Sequence, residues 1–234
     1  MYFISAPFGN FLRFKNTISV AGTFTVKPRP GRIKQIIRTL RYVRTDAGWS
    51  WRNKLGLRNP GLQAGMRSTN FKKILSVAAI DNTDWTTIFN SISKERNIEL
   101  NVSCPNLESH MDTTSWQDFD KFATKMNNEY CIVKIPPDAT NKFIDRIVEM
   151  GYKQIHASNT LPTEQGGLSG KILMPYTLDI IRYIKLKYPY VEIIAGGGVT
   201  TKKDLKIYKD AGADHISLGS ICFTPWRISS LVNE

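Results

Sequence analysis

The chain contains 234 residues, which suits one large domain and is short for two ordinary ones. Its 32 Lys and Arg residues outnumber its 20 Asp and Glu residues and give a formal net charge of +12. This excess indicates an acidic partner: nucleic acid, a phosphate-bearing cofactor or a carboxylate substrate. With 41% hydrophobic residues the chain can bury a core, which excludes a largely disordered protein.

The sequence shows no targeting or metal-binding pattern. No apolar run approaches the roughly 20 residues of a membrane span, and the start, MYFISAPFGN, lacks the basic-then-apolar layout of a signal peptide. We therefore expect a cytoplasmic protein without a membrane partner. Cys104, Cys131 and Cys222 are odd in number and far apart, so neither a disulfide framework nor a metal site is predicted.

Strand and helix patterns alternate along the chain. Eight short apolar segments are predicted as strands: 2–6, 17–21, 74–79, 98–102, 131–135, 154–157, 191–195 and 215–218. Segments with helical periodicity lie between most of them, at 84–95, 115–126, 139–150, 176–187 and 200–211. This alternation predicts a compact α/β fold, a closed (β/α)8 TIM barrel, with residues 1–234 forming one domain.

Two regions depart from a regular barrel. Only about ten residues separate the first two strands, too few for the dozen or more of a full crossover, and the tail after Thr224 leaves room for a short last helix. The basic segment 28–73 is rich in Gly and Pro, so it is predicted as an extended loop with one short helix.

The predicted strands end in polar residues, and these ends form the active-site face of such barrels. Lys134 closes an apolar strand, where a cation is costly unless an anion meets it. Gly197-Gly198 and Gly219-Ser220 close two successive strands and could present backbone amides to a phosphate. Residues 166–170 are predicted as a flexible turn that could close over the same group.

Cys104 follows a strand at the barrel mouth, where a thiol can act as a base or nucleophile. Cys131 and Cys222 are expected to be free, buried thiols. His156 lies inside a strand and is interpreted as a core or wall residue, and His110 and His215 have no metal-ligand spacing.

Six ordered motifs together resemble dihydroorotate dehydrogenase. They are ELNVSCPN (99–106), VKIPPD (133–138), SNT (158–160), GGLSGK (166–171), IIAGGGV (193–199) and AGADHISLGS (211–220). ISAPFGN, GTFTVKPRPGR and NKLGL in the first 57 residues are less closely similar. The resemblance implies an FMN-dependent oxidoreductase acting on CH–CH groups, which oxidises (S)-dihydroorotate to orotate in de novo pyrimidine (UMP) biosynthesis.

The resemblance assigns roles to matching residues. Cys104 matches the general base that removes a proton from the substrate while hydride passes to flavin N5; cysteine there resembles the class 1 enzymes. Lys134 matches the catalytic lysine beside the flavin ring. The matching substrate-binding residues are Asn53, Asn101, Asn106, Asn159 and Thr160. The matching flavin-binding residues are Ala6, Thr23, Asn101, Lys134, Ser169, Gly170, Gly197, Gly198, Gly219 and Ser220.

One departure concerns substrate binding. The family places a substrate-side lysine at positions that here are Asn10 and Gly22, so we expect weaker binding of dihydroorotate unless Lys27, Arg52 or Lys54 reaches in from the basic loop. The resemblance further suggests a small anionic pyrimidine as ligand, fumarate as electron acceptor and a homodimer, with no stable nucleic-acid partner.

Two alternatives stay open at this point. One is a related flavin barrel acting on another pyrimidine, such as a dihydrouridine synthase acting on tRNA, to which a charge of +12 would be suited. The other is a catalytically silent FMN-binding barrel, suggested by the missing lysine.

Overall fold

The computed structural model describes residues 1–103 and 116–233. In chain order the strands are β1 (Tyr2–Ile4), β2 (Thr17–Phe24), β3 (Arg41–Thr45), β4 (Gly48–Asn53), β5 (Ile74–Val77), β6 (Ile98–Asn101), β7 (Cys131–Ile135), β8 (Gln154–Ala157), β9 (Gly167–Gly170), β10 (Glu192–Gly196) and β11 (His215–Leu218). The helices are α1 (Arg32–Thr39), α2 (Leu62–Ser68), α3 (Asp84–Ser91), α4 (Asp120–Lys125), α5 (Asn141–Glu149), α6 (Met174–Lys187), α7 (Lys202–Asp210) and α8 (Ile228–Val232).

Eight of these strands close into a parallel barrel in the order β1-β11-β10-β8-β7-β6-β5-β2. The barrel strands are almost entirely buried, because helices cover them outside and side chains fill them inside, and this explains their continuous apolar runs. All eight predicted strands are confirmed, and α3 to α7 coincide with the five predicted helical segments. The predicted TIM barrel is therefore confirmed.

The register brings polar residues from neighbouring strands into one row. Asn101 at the end of β6 pairs with Lys134 on β7, and Lys134 pairs with His156 on β8. Three strands thus contribute an amide, an ammonium and an imidazole at one level of the barrel, and all three residues are buried.

The shortened connection between β1 and β2 is confirmed. It is a single 3-10 turn, Phe8–Asn10, in place of a crossover helix. Gly9 allows the turn to lie directly on β2, since a Cβ there would collide with the backbone of Val20. The short carboxyl-terminal helix is also confirmed, as α8.

The prediction for segment 28–73 is wrong in part. Instead of a loop with one short helix, the segment forms α1, the hairpin β3–β4 and α2. Residues 166–170, predicted as a flexible turn, contain β9, which pairs antiparallel with β4 to complete a three-stranded sheet. The local sequence could not reveal this pairing because β4 and β9 are more than 110 residues apart. No helix in the described ranges is long and apolar enough to span a membrane.

Candidate active site

A cavity of about 680 Å³ opens at the carboxyl ends of the barrel strands, with residues of α1, β4 and β9 in its wall. Its size falls within the range of roughly 300–1,000 Å³ that is typical of ligand sites. The structure brings these residues of the predicted site into its lining: Ala6, Thr23, Asn53, Asn101, Lys134, Asn159, Thr160, Ser169, Gly170, Gly197, Gly219 and Ser220.

The remaining residues of the predicted site are Cys104, Asn106 and Gly198. Cys104 and Asn106 lie outside the described residues. Gly198 is buried behind the wall, with φ +75°, and a Cβ there would come 2.8 Å from both Lys171 Cα and Met174 Cγ. Its position indicates that it allows the β10 turn to pack against the start of α6, while neighbouring Gly197 lines the cavity.

The floor of the cavity contains Lys134, which is 5% exposed. Among the described residues its ammonium has no hydrogen-bond acceptor and no ion-pair partner within 4.0 Å. Below it lies Glu99, which accepts hydrogen bonds from Ser76 Oγ (2.9 Å) and pairs with His156 Nδ1 (2.7 Å). Lys134 is thus a cation buried beside a carboxylate but left free to meet a ligand.

Burial alone would raise the pKa of Glu99, but the charge of Lys134 and the contact with His156 hold that pKa down to about 2. Burial, followed by repulsion from Lys134, lowers the pKa of His156. At neutral pH we therefore assign a carboxylate to Glu99 and a neutral imidazole to His156, with Nδ1–H donating to Oε2. The Glu99 charge then balances that of Lys134.

A hydrogen-bonded group of side chains forms one wall. Asn101 Nδ2 donates to Thr23 Oγ1 (3.2 Å), and Asn101 Oδ1 accepts from the hydroxyl of Ser103 (2.6 Å) and from Asn159 Nδ2 (3.3 Å). Thr23 in turn contacts Ser76 Oγ at 2.9 Å, which links this group to Glu99. The amides are fixed by these contacts before any ligand binds, which preorganises the wall for hydrogen bonding.

Glycine turns form another wall. Within the described part of the chain the backbone amides of Gly197 and Gly219 donate no hydrogen bond to protein, and both residues line the cavity. Tyr208 OH donates to the carbonyl of Gly197 (2.6 Å) and fixes the turn. Free amides at the ends of adjacent strands are suited to binding the oxygens of a phosphate.

The cations at the rim differ from those predicted. Asn10 does not line the cavity; its side chain bridges backbone atoms of Pro7 and Gly22. Of the three predicted replacements for a lysine there, Lys54 lines the cavity, whereas Lys27 and Arg52 do not. Two further cations that the sequence analysis missed, Arg32 and Arg58, also line it.

Comparisons with known proteins identify the family. The family model described as dihydroorotate dehydrogenase matches residues 12–233. The chain belongs to the dihydroorotate dehydrogenase family. Because dihydroorotate dehydrogenases are oxidoreductases acting on CH–CH groups, the chain is an enzyme of this class, as the sequence predicted. Members of the family are flavin-dependent.

Individual relatives agree with this assignment. The chain is 28% identical to the Streptococcus pneumoniae protein named dihydroorotate dehydrogenase B (NAD(+)), catalytic subunit, over 95% of this chain and 80% of that one. It is 25% identical to the protein of the same name from Thermotoga petrophila, over 93% of this chain and 88% of the relative. The dihydroorotate dehydrogenase of Eimeria tenella, solved with ferulenol, has the same fold: the TM-score is 0.71 at 19% identity, over 93% of this chain and 73% of that chain.

The buried Glu99–His156 pair was not predicted as part of the site. His156 was interpreted as a core or wall residue, and its 2% exposure agrees with that interpretation. The signal that was available is the position of Glu99 in the apolar strand segment IELN, where a carboxylate needs partners. The identity of those partners depends on the pairing of β6, β7 and β8, which the local sequence does not encode.

Proposed function

We propose that the chain catalyses the FMN-dependent oxidation of (S)-dihydroorotate to orotate in UMP biosynthesis, as one domain comprising residues 1–234. The observation that carries this proposal is Lys134: a buried cation faces a ligand-sized cavity with no protein anion in contact with it among the described residues. This charge would stabilise an anionic, electron-accepting ring placed beside it in the cavity.

The residues present fit FMN. The free amides of Gly197 and Gly219 can bind its phosphate, with Gly198 and Ser220 beside them. A Cβ at Gly219 would have no heavy atom nearer than 3.8 Å in the protein, so the space beside this glycine is open to a ligand. Ala6, Thr23, Asn101, Ser169 and Gly170 would contact the remainder of the cofactor.

FMN, when bound, supplies the hydride acceptor at N5. On the protein side, Asn53, Asn101, Asn159 and Thr160 would orient the pyrimidine, together with Asn106. Cys104, three residues after β6 in the sequence, would remove the proton from substrate C5. Lys134 would hold its positive charge against the flavin ring and stabilise negative charge that develops there.

The route of electrons out of the site is a separate question. The curated relatives are named catalytic subunits, with NAD(+) in the name, which supports a second subunit that passes electrons to NAD+ in place of the expected fumarate. We propose the NAD+ route. Mixing the reduced protein anaerobically with fumarate, NAD+ and a quinone in turn tests it: direct reoxidation by fumarate contradicts the NAD+ route.

The homodimer and the cytoplasmic location stay predictions, which sedimentation and cell fractionation test.

The decisive experiment is anaerobic reduction of the FMN-loaded protein by dihydroorotate, followed by flavin absorbance. The wild-type spectrum should bleach, and Cys104→Ala should slow bleaching by about 100-fold or more, the contribution expected of a general base, while FMN stays bound. Cys131→Ala is the matched control, because Cys131 begins β7 at the opposite end of the barrel and burial raises the pKa of its thiol to about 12.

Other outcomes select the alternatives. A protein that cannot be loaded with FMN contradicts the proposal outright. Bound FMN that dihydroorotate does not reduce favours the silent barrel. Salt-sensitive tRNA binding combined with reduction of tRNA uridines to dihydrouridine would favour the dihydrouridine synthase interpretation.

A further inference from the structure

Helix α1 covers the cavity with one face. Arg32, Ile36 and Leu40, spaced four residues apart, line the cavity, whereas Ile33 and Ile37 on another face are exposed. Arg32 is the charged residue of the inward face. The helix thus presents a guanidinium to the cavity on an otherwise apolar surface.

The Arg32 guanidinium has no counter-ion in the described part of the chain. Among residues 1–103 and 116–233, no carboxylate lies within 4.0 Å of it and no acceptor receives a hydrogen bond from it. Burial lowers the pKa of this side chain. A partly desolvated guanidinium without acceptors is costly, and this cost is removed when a planar anion binds.

The other cations near the rim already have acceptors. Lys54 Nζ donates to the carbonyl of Glu164 (2.9 Å) and Arg58 donates to that of Pro30 (3.2 Å). The Arg52 guanidinium donates to the side-chain oxygen of Gln165. Arg32 is therefore the rim cation best placed to receive an anion.

Hydrogen bonds hold α1 against the strand end that carries Asn53. Gln35 Nε2 donates to the carbonyl of Lys54 (2.7 Å), and the Lys54 amide donates to Thr39 Oγ1 (3.1 Å). These two contacts, one helical turn apart, fix the helix relative to Asn53, which also lines the cavity. The helix that carries Arg32 is thus hydrogen-bonded to the residue that follows Asn53.

We propose that Arg32 determines substrate specificity by binding the carboxylate of the pyrimidine substrate. The inference rests on the proposed function and assigns the carboxylate to a side chain of α1, outside the barrel strands. A guanidinium can bind a carboxylate through two parallel N–H···O bonds, a geometry that a lysine cannot offer. A pyrimidine without the carboxylate would leave Arg32 unpaired.

The test compares orotate with uracil, which keeps the ring and lacks the carboxylate. Each is titrated into FMN-loaded protein, and binding is followed by the change in flavin absorbance. Arg32→Ala should weaken orotate binding about 10- to 100-fold, as expected for loss of a hydrogen bond to a charged group, with FMN content and uracil binding unchanged within about 3-fold. Arg32→Lys should recover only part of the orotate affinity.

Arg38→Ala is the control, because Arg38 lies on the same helix, is exposed and does not line the cavity. It should leave both affinities unchanged. Wild-type affinity for orotate in Arg32→Ala, equal losses for orotate and uracil, or loss of FMN would each overturn the role of Arg32. If the wild-type protein neither binds orotate nor is reduced by dihydroorotate, the proposed function itself fails. If dihydroorotate reduces both the wild type and Arg32→Ala, and the two proteins bind orotate equally well, the role of Arg32 is wrong but the proposed function stands.

Discussion

Glu99 and His156 show how the barrel keeps a charged residue buried beneath its cavity. Glu99 is 1% exposed and has hydrogen-bond partners for both carboxylate oxygens, Ser76 and His156. Because these contacts and the nearby Lys134 favour the ionised form, the pKa of Glu99 is about 2 despite its burial. The carboxylate therefore stays charged throughout the physiological range and keeps Lys134 compensated on the side away from the cavity.

The pKa of His156 has a consequence for stability. Burial lowers it, so below about pH 6.5 the unfolded chain takes up a proton that the folded chain does not. Stability should fall as pH falls below about 6.5, by at most about 1.4 kcal/mol at pH 5.5 from this residue. His156→Gln should reduce that fall, although the variant should be less stable at pH 7.5. Urea unfolding midpoints at pH 7.5 and 5.5 measure both effects.

His215→Gln is the control for this pH dependence. The pKa of His215 is also lowered by burial, but His215 is only partly buried and contacts the amino terminus at the other end of the barrel. The His215→Gln variant should therefore keep most of the loss of stability that the wild type shows between pH 7.5 and 5.5. Below about pH 4.5 both variants should lose further stability, because protons bind unfolded Glu99 before they bind the folded residue. A wild-type slope in His156→Gln would show that the histidine is protonated in the folded state.

At the scale of elements, the sequence predicted the barrel strands because each is buried on both faces and reads as an apolar run. It missed β3 and β4 because their side chains are mostly exposed or partly exposed and include Arg41, Arg44 and Arg52. A usable signal was Gly48, whose φ of +95° suits the turn between the two strands. No local signal identified β9, since Gly167–Gly170 becomes a strand only by pairing with β4.

The amino-terminal cap of α7 connects a predicted cofactor turn to the helix layer. Thr201 Oγ1 accepts from the Asp204 amide (3.2 Å), and the buried Asp204 carboxylate accepts from the backbone amides of Thr200 and Thr201 and from Lys171 Nζ (3.2 Å). Lys171 directly follows Gly170, which lines the cavity. The cap thus fixes the positions of two strand-end turns as well as the helix.

We expect Thr201→Ala to lower the free energy of unfolding by about 1–2 kcal/mol, the upper part of the range for loss of a cap, because it also removes a donor from buried Asp204. Thr140→Ala in α5 is the matched comparison: Thr140 accepts from Phe143 N (3.2 Å), and no capping box is formed there. It should cost about 1 kcal/mol or less. Chemical denaturation of both variants compares the two caps, and equal losses would mean that Asp204 does not need the threonine hydroxyl.

At the scale of the whole molecule, the net charge is concentrated in one segment. Between residues 28 and 73 there are twelve Lys and Arg residues and one acidic residue, Asp46, so this segment accounts for nearly all of the formal charge of +12. The same segment contributes α1 and β4 to the cavity wall. Three of these cations, Arg32, Lys54 and Arg58, line the cavity, so part of the excess charge lies at a small-molecule site, where it would attract an anionic pyrimidine.

This charge distribution predicts a salt-dependent encounter with substrate. The second-order rate constant for reduction by dihydroorotate should fall several-fold between about 0.01 M and 0.1 M salt, over which the Debye length shrinks from about 30 Å to about 10 Å. Arg44→Glu in β3 should lower this rate constant at low salt, since Arg44 is exposed on the basic segment. Lys203→Glu makes the same change in net charge on α7, outside that segment, and should have a smaller effect. Stopped-flow reduction of the FMN-loaded variants measures these rate constants. Equal decreases in Arg44→Glu and Lys203→Glu would show that total charge matters more than its location.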